Sequence, residues 1–175
     1  MAARARLQAE RIALRKDREW TRNPQNKFGF EAKPALAEDG TQDLLKWFCS
    51  IPGEKGTPWE GGRMALTLTF TTDYPTAPPT AQFKPVDMGK GVSKPLFHAN
   101  IYPDGKVCLD LLQKQRWTPA HTIKTVLIAI QRLLKEPNPK SPAQSEPNNL
   151  YNKNRPQYEA RIKQQMEMLK DTWED

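Results

Sequence analysis

Residues 43–70 read DLLKWFCSIPGEKGTPWEGGRMALTLTF. In the first part Leu45, Trp47, Cys49 and Ile51 alternate with Lys46, Phe48 and Ser50; in the last, Met64, Leu66, Leu68 and Phe70 alternate with Ala65, Thr67 and Thr69. Successive side chains of a strand point to opposite faces, so this period of two predicts strands over 43–51 and 63–71, each with one face in a core. The stretch PGEKGTPWEGG between them is rich in turn formers, which makes the two strands antiparallel neighbours.

Working outward, an extended segment at 28–34 precedes the pair across an EDG turn, and a shorter one at 80–84 completes an antiparallel four-stranded meander. Residues 2–19 carry helical spacing instead. Ala3, Leu7 and Leu14 share one stripe, while Arg4, Arg11, Arg15 and Arg18 form a guanidinium row on the neighbouring one. From Asp73 to Pro103 prolines recur and periodicity fades, so the chain there is expected to be irregular but stiff. Thr118 as N-cap and Pro119 at the first helical position predict a helix whose apolar face is Ile123, Leu127, Ile130 and Leu134, stopped by Pro137. EPNPKSPAQSEP reads as a proline-interrupted loop and 156–170 as a last amphipathic helix. The fold class is therefore α+β, a single domain over 1–175 with helices packed on and around one sheet.

Bulk properties narrow the function. The longest unbroken apolar run, Val126–Ile130, is 5 residues, against about 20 for a bilayer span, so no membrane partner is expected. The first residues are arginine-rich but include Glu10, Asp17 and Glu19 and lack an apolar core, unlike a targeting peptide. Two cysteines without Cys-x-x-Cys spacing give neither a disulfide framework nor a zinc site, and point to a reducing compartment, nucleus or cytoplasm. The net charge of +7 favours acidic partners. The arginine row is narrow and carries no interleaved aromatics, so no specific nucleic acid is expected.

Cys108 follows HANIYPDGKV, outside any periodic element. A free thiol has a pKa of about 8.5 and needs help to ionise at neutral pH. Neither His98 nor His121 stands at a protease-like spacing, and unpaired cysteine is among the most buried residue types. On its own chemistry Cys108 is either a nucleophile or a structural filler, whereas Cys49 beside Trp47 belongs to the core.

The stretches HANIYPDGKVCLDLL (98–112), WTPAHTIKTVLIAIQRLL (117–134) and PNPKSPAQ (137–144) resemble the active-site region of the ubiquitin-conjugating (UBC) family. GTPWEGG and DYPTAPP extend the likeness. RLQAERIALRKD, FGFEAKP and SPAQSEPNNLYNKNRPQYEARIKQQ are similar to its SUMO-conjugating branch.

The resemblance implies a UBC fold: an N-terminal helix, the four-stranded meander, an active-site loop segment, then C-terminal helices. It implies that Cys108 accepts SUMO as a thioester from the SUMO-activating enzyme and passes it to substrate lysines, with ubiquitin conjugation as the alternative. No cofactor is implied, because ATP is used by the activating enzyme. Asn100 is expected to supply or organise a donor to the developing oxyanion. Tyr102 and Ser141 shape the lysine pocket, and His98 is structural. Arg4, Arg11, Arg15 and Arg18 face the modifier, bound without a covalent link as well, or the activating enzyme. Asp104, Lys106, Pro142, Ala143 and Gln144 read the substrate motif, and SUMO ligases are further partners. Departures from the pattern are Ala99 for proline, Thr80 for lysine, Asp110, the nine-residue step from Cys108 to Trp117, and insertions near 19–27 and 86–94.

Overall fold

The computed structural model describes residues 2–171. Its elements in chain order are α1 (Ala2–Lys16), β1 (Glu31–Leu36), β2 (Gln42–Pro52), β3 (Arg63–Thr69), β4 (Thr80–Phe83), β5 (Val86–Asp87), β6 (Ser93–Lys94), α2 (Ile123–Lys135), α3 (Ser145–Lys153) and α4 (Arg155–Met168). β1 to β4 form one antiparallel sheet in sequence order, the meander expected from the alternation. Cys49 pairs with Leu66 on one side and Ala32 on the other. Trp47, Cys49, Ile51, Met64, Leu66 and Leu68 are buried on one face, while Phe48 and Lys46 emerge on the other. Gly53 permits the β2–β3 turn to close, because a Cβ there would lie 1.6 Å from the Trp59 carbonyl oxygen. β1 starts at Glu31, later than the expected 28, and its register slips between Pro34 and Ala35. Pro34 has no N–H to give the ladder, which an edge strand tolerates.

Against the inner face lie α1, through Ala3, Leu7 and Leu14, and α2, through Ile123, Val126, Leu127, Ile130 and Leu134. The apolar face of α2 is the expected one, but its start differs. Thr122, not Thr118, is the N-cap, in a reciprocal capping box with Thr125, and His121 precedes the helix instead of lying in its first turn. The reason lies in α1. Buried Glu10 accepts the Ile123 N–H at 2.7 Å and the Tyr74 hydroxyl. Arg6, bonded to Glu10 at 3.0 Å, donates to the carbonyls of Pro119 and His121 at 2.9 and 3.0 Å. A carboxylate at a helix N-terminus satisfies an otherwise orphaned donor and meets the positive end of the dipole, so these contacts hold 119–121 out of the helix.

Three further expectations are corrected. α1 ends at Lys16, so Arg18 leaves the helical row and bonds Asn23 and Gln25 at 3.3 and 2.9 Å. Residues 86–94 are not irregular throughout: Val86 pairs with Lys94 and Asp87 with Ser93 in a small hairpin. The proline-rich loop ends sooner than expected, because α3 begins at Ser145. Pro147 lies in its first turn, where no intrahelical N–H is required. Asn154 then separates α3 from α4 and caps the latter through Gln157 N at 3.2 Å.

The 19–27 insertion is anchored at both ends. Trp20 stacks on Phe30 with centroids 4.8 Å apart. Arg22 bonds Glu31 at 3.0 Å and Asp171 at 2.5 Å, and Arg63 bonds the other Asp171 oxygen at 3.2 Å. Among the described residues no helix is long and apolar enough to cross a membrane.

Candidate active site

Cys108 is placed by a hairpin. Tyr102 N donates to Lys106 O at 2.9 Å and Gly105 N to Tyr102 O at 2.8 Å, closing the Pro-Asp-Gly turn. Gly105 has φ +92, and a Cβ there would meet the Phe83 carbonyl oxygen at 2.2 Å, so glycine is required for strain and for space. The outgoing limb is stitched to β4 by Val107 N to Ala81 O at 3.0 Å, and Cys108 N donates to Asn100 O at 2.9 Å. The thiol that emerges is partly exposed. Tyr102, itself exposed, brings its phenol beside that thiol, and this neighbour holds the phenol above the usual tyrosine pKa.

Beneath the hairpin the polar groups are buried. His98 is fully buried. Its Nε2–H donates to Leu133 O at 2.8 Å and its Nδ1 accepts from Asn100 N at 3.0 Å, which fixes the neutral tautomer. Burial pushes its pKa down to about 4 against the opposing pull of the Leu133 and Leu134 carbonyls. In this state the ring bridges the backbone of α2 and of the loop ahead of Cys108.

Asn100 is likewise inaccessible. Its Nδ2 donates to Asn138 O at 2.8 Å and Ser141 O at 2.9 Å, and its Oδ1 accepts from Asn138 N at 2.8 Å. Both amide hydrogens are thus engaged by the 138–141 backbone, and in this arrangement the side chain organises the loop opposite Cys108.

Ser141, Pro142, Ala143 and Gln144 are carried by that same loop. Ala143 N donates to Ala99 O at 2.6 Å, and Gln144 Nε2 donates to Leu96 O and Ile101 O at 2.7 and 2.8 Å. Gln144 therefore faces inward as a brace, while Pro142 is exposed. Asp104 and Lys106 flank the turn, exposed and 3.8 Å apart. Thr80 is exposed on β4, next to Gln82, which donates to Asp104 O at 2.6 Å. Arg4, Arg11 and Arg15 belong to α1, outside this cluster. His121 is partly buried, its ring 5.3 Å from that of Trp117.

Sequence reasoning missed Glu10, Asn138 and Gln165. Gln165 Oε1 accepts the Phe97 N–H at 2.6 Å, immediately before His98. Glu10 and Gln165 had a readable signal: each falls on an apolar stripe, beside Leu7 and Leu14 or beside Ile162 and Met166. Asn138 acts mostly through its backbone and had none.

One residue past the thiol begins a cleft of about 480 Å³ between Leu109–Leu111 and the outer face of α2, lined by Thr125, Ile128, Ala129 and Arg132. The arrangement offers a reachable sulfur, a rigid floor and an adjoining, mainly apolar groove. Among the described residues no three His, Cys, Asp or Glu side chains are placed to hold a metal ion.

A family model described as "Ubiquitin-conjugating enzyme" matches residues 13–166. The SUMO-conjugating enzyme UBC9 of Caenorhabditis elegans is 44% identical over 164 residues, 93% of this chain and 89% of the relative. Sumo-conjugating enzyme ubc9 of Dictyostelium discoideum is 43% identical over 92% of this chain and 91% of its own length. SUMO-conjugating enzyme SCE1 of Arabidopsis thaliana is 42% identical over 93% and 92%. With that match over most of its length and three relatives at 42–44% identity, this chain belongs to the ubiquitin-conjugating enzyme family.

Proposed function

We propose that this chain is a SUMO-conjugating transferase acting through a thioester on Cys108. The observation that carries this reading is the 42–44% identity, over more than nine-tenths of the chain, to three enzymes all named for SUMO conjugation. In the first step the Cys108 thiolate attacks the thioester that joins SUMO's C-terminal glycine to the activating enzyme; a new S–C bond forms and the activating enzyme's thiolate leaves. In the second, a neutral lysine amine attacks, the amide bond forms, Cys108 departs as thiolate and the amine loses its proton. ATP is used by the activating enzyme, and no step asks this chain for a cofactor.

A lysine amine has a pKa of about 10.4, so roughly one in a few thousand is neutral at pH 7. Desolvation between Tyr102, the 141–143 segment and Cys108 lowers that barrier by disfavouring the ammonium. Asn100 acts by fixing the loop that frames the oxyanion. The cleft beyond Leu109 suits an extended acyl tail. Asp104, Lys106, Pro142 and Ala143 meet the substrate motif, Lys106 supplying the cation that Thr80 lacks, while Gln144 supports them from below. Arg4, Arg11 and Arg15 on α1 contact SUMO, also without a covalent link, or the activating enzyme. SUMO ligases complete the set of partners, and nucleus and cytoplasm are the compartments in which a free Cys108 thiol serves.

The test is to mix the chain with SUMO, SUMO-activating enzyme and ATP. A reductant-sensitive adduct is expected, lost in Cys108→Ala and absent when ubiquitin and its activating enzyme are substituted. Adduct formation with ubiquitin alone would overturn the choice of modifier.

A further inference from the structure

The 86–94 hairpin does more than lengthen a loop: with α4 it borders a second cavity of about 480 Å³, within the span of about 300–1,000 Å³ usual for small-molecule sites. Val86 and Met88 of the hairpin and Phe97 give it an apolar side, while Arg161 and Gln165 come from α4. Gln165 is 8% exposed; its Oε1 takes the Phe97 N–H, and its Nε2 has no hydrogen-bond partner among the described residues. Buried amide donors are almost always satisfied, so one left over in the wall of a cavity marks a missing acceptor. Charge narrows what that acceptor is. Arg161 and Lys94 line the space against a single carboxylate, Glu146. The Arg161 guanidinium lies 4.3 Å from the centroid of the Phe97 ring, and its Nη1 already holds a Glu146 oxygen at 2.7 Å. Because Glu146 is tethered to the chain, a free carboxylate, equal in charge and in oxygens, competes with it at a disadvantage of effective concentration. A phosphomonoester escapes that handicap: it carries about −1.5 to −2 charges at pH 7 and three acceptor oxygens, enough for Arg161, Lys94 and Gln165 Nε2 together. Glu146 is 66% exposed, so releasing it to water costs little.

We propose that this cavity binds a small, free phosphomonoester with an apolar body, its phosphoryl oxygens on Arg161, Lys94 and the Gln165 amide in place of Glu146, its body against Val86 and Met88. A bare phosphate would leave that apolar side in water, whereas an apolar body removes it. A concave space with an apolar wall and a few convergent polar groups is the form of a small-molecule site. Among the described residues that line it, none belongs to the 101–108 hairpin or the 138–144 loop. The site is therefore separate from the transfer chemistry, and its ligand pins the 86–94 hairpin to α4.

The isotope-labelled full chain is titrated with phenyl phosphate, inorganic phosphate, benzoate and a phosphoserine peptide. Phenyl phosphate is expected to shift the Gln165 side-chain amide signals and to bind about tenfold more tightly than inorganic phosphate or benzoate. Arg161→Gln should weaken it about tenfold, and Glu146→Gln, which removes the tethered competitor, should tighten it about threefold. Met88→Ala should weaken phenyl phosphate and leave inorganic phosphate unchanged, whereas Lys163→Gln, exposed on α4 and outside the cavity, should change neither. An unmoved Gln165 signal, benzoate binding as well as phenyl phosphate, or weaker binding in Glu146→Gln would overturn the proposal. So would a loss in Lys163→Gln equal to that in Arg161→Gln, the mark of non-specific attraction to a basic protein. Tighter binding of the phosphoserine peptide than of phenyl phosphate would also overturn it, assigning the site to a phosphorylated protein. None of these readouts uses the thioester, so this proposal and the SUMO reading fail separately.

Discussion

Cys49 and Cys108 carry the same thiol in opposite surroundings. Cys49 sits mid-strand between Ala32 and Leu66, 5% exposed, and burial pushes its pKa far up, so it stays protonated and inert. Cys108 ends a hairpin, partly exposed, with a tyrosine hydroxyl for a neighbour. What holds each in place also differs. The sheet around Cys49 is fixed by apolar burial, which is non-directional and shared among many side chains. The loop around Cys108 is fixed by single polar residues, His98, Asn100, Gln144 and Gln165, each bonded to the backbone of a neighbouring segment. Removing one partner of a buried hydrogen bond leaves the other unmade at full cost, which loss of one shared apolar contact does not. A reactive atom near the surface is thereby held more brittly than an inert one in the core.

The sharpest way to break the contrast is Asn100→Ala. It strips partners from Asn138 O, Ser141 O and Asn138 N together, so chemical denaturation should show a loss on the order of 4 kcal/mol, larger than for any single core truncation at Cys49. Lysine discharge from the thioester should fall in parallel.

Next in size is a pH effect. His98 titrates near 4 in the folded chain and near 6.5 unfolded. The neutral form is the one the fold prefers, so its contribution is complete above the unfolded value and is lost as pH falls from about 6.5 through about 4. The span corresponds to about 3 kcal/mol, measurable as the shift of a urea midpoint with pH. His98→Gln should flatten that part of the slope.

Smaller still, Cys49→Ser places a hydroxyl in the apolar layer and should cost about 2 kcal/mol while leaving adduct formation intact. The least costly is Cys108→Ser, within about 0.5 kcal/mol of the parent in stability, yet its SUMO adduct, if formed, is an oxyester that reductant does not cleave. A large stability loss in Cys108→Ser with little in Cys49→Ser would invert the comparison.

Much of this was legible in the chain. The alternation about Trp47 and Met64 fixed two strands and their inward faces, because period two has one physical meaning when one side must be dry. The apolar face of α2 was legible for the same reason, but its start was not: Thr118-Pro119 satisfies local capping rules, and only Glu10 and Arg6, more than a hundred residues away, decide for Thr122. The cysteine's role was carried by motif and not by spacing of bases. Asn100's dependence on 138–141 lay beyond local reading, since the partners are backbone atoms that look alike in every sequence. The 86–94 hairpin escaped notice because two-residue strands have no periodicity to show.

Asp171 stands between Arg22 and Arg63, two guanidiniums that repel each other, and bonds both. The residues that follow α4 thereby form a clasp joining the insertion after α1 to the start of β3. Trimming the chain ahead of this carboxylate would loosen a segment near the opposite terminus, so shortened forms designed for crystallisation or fusion should keep it.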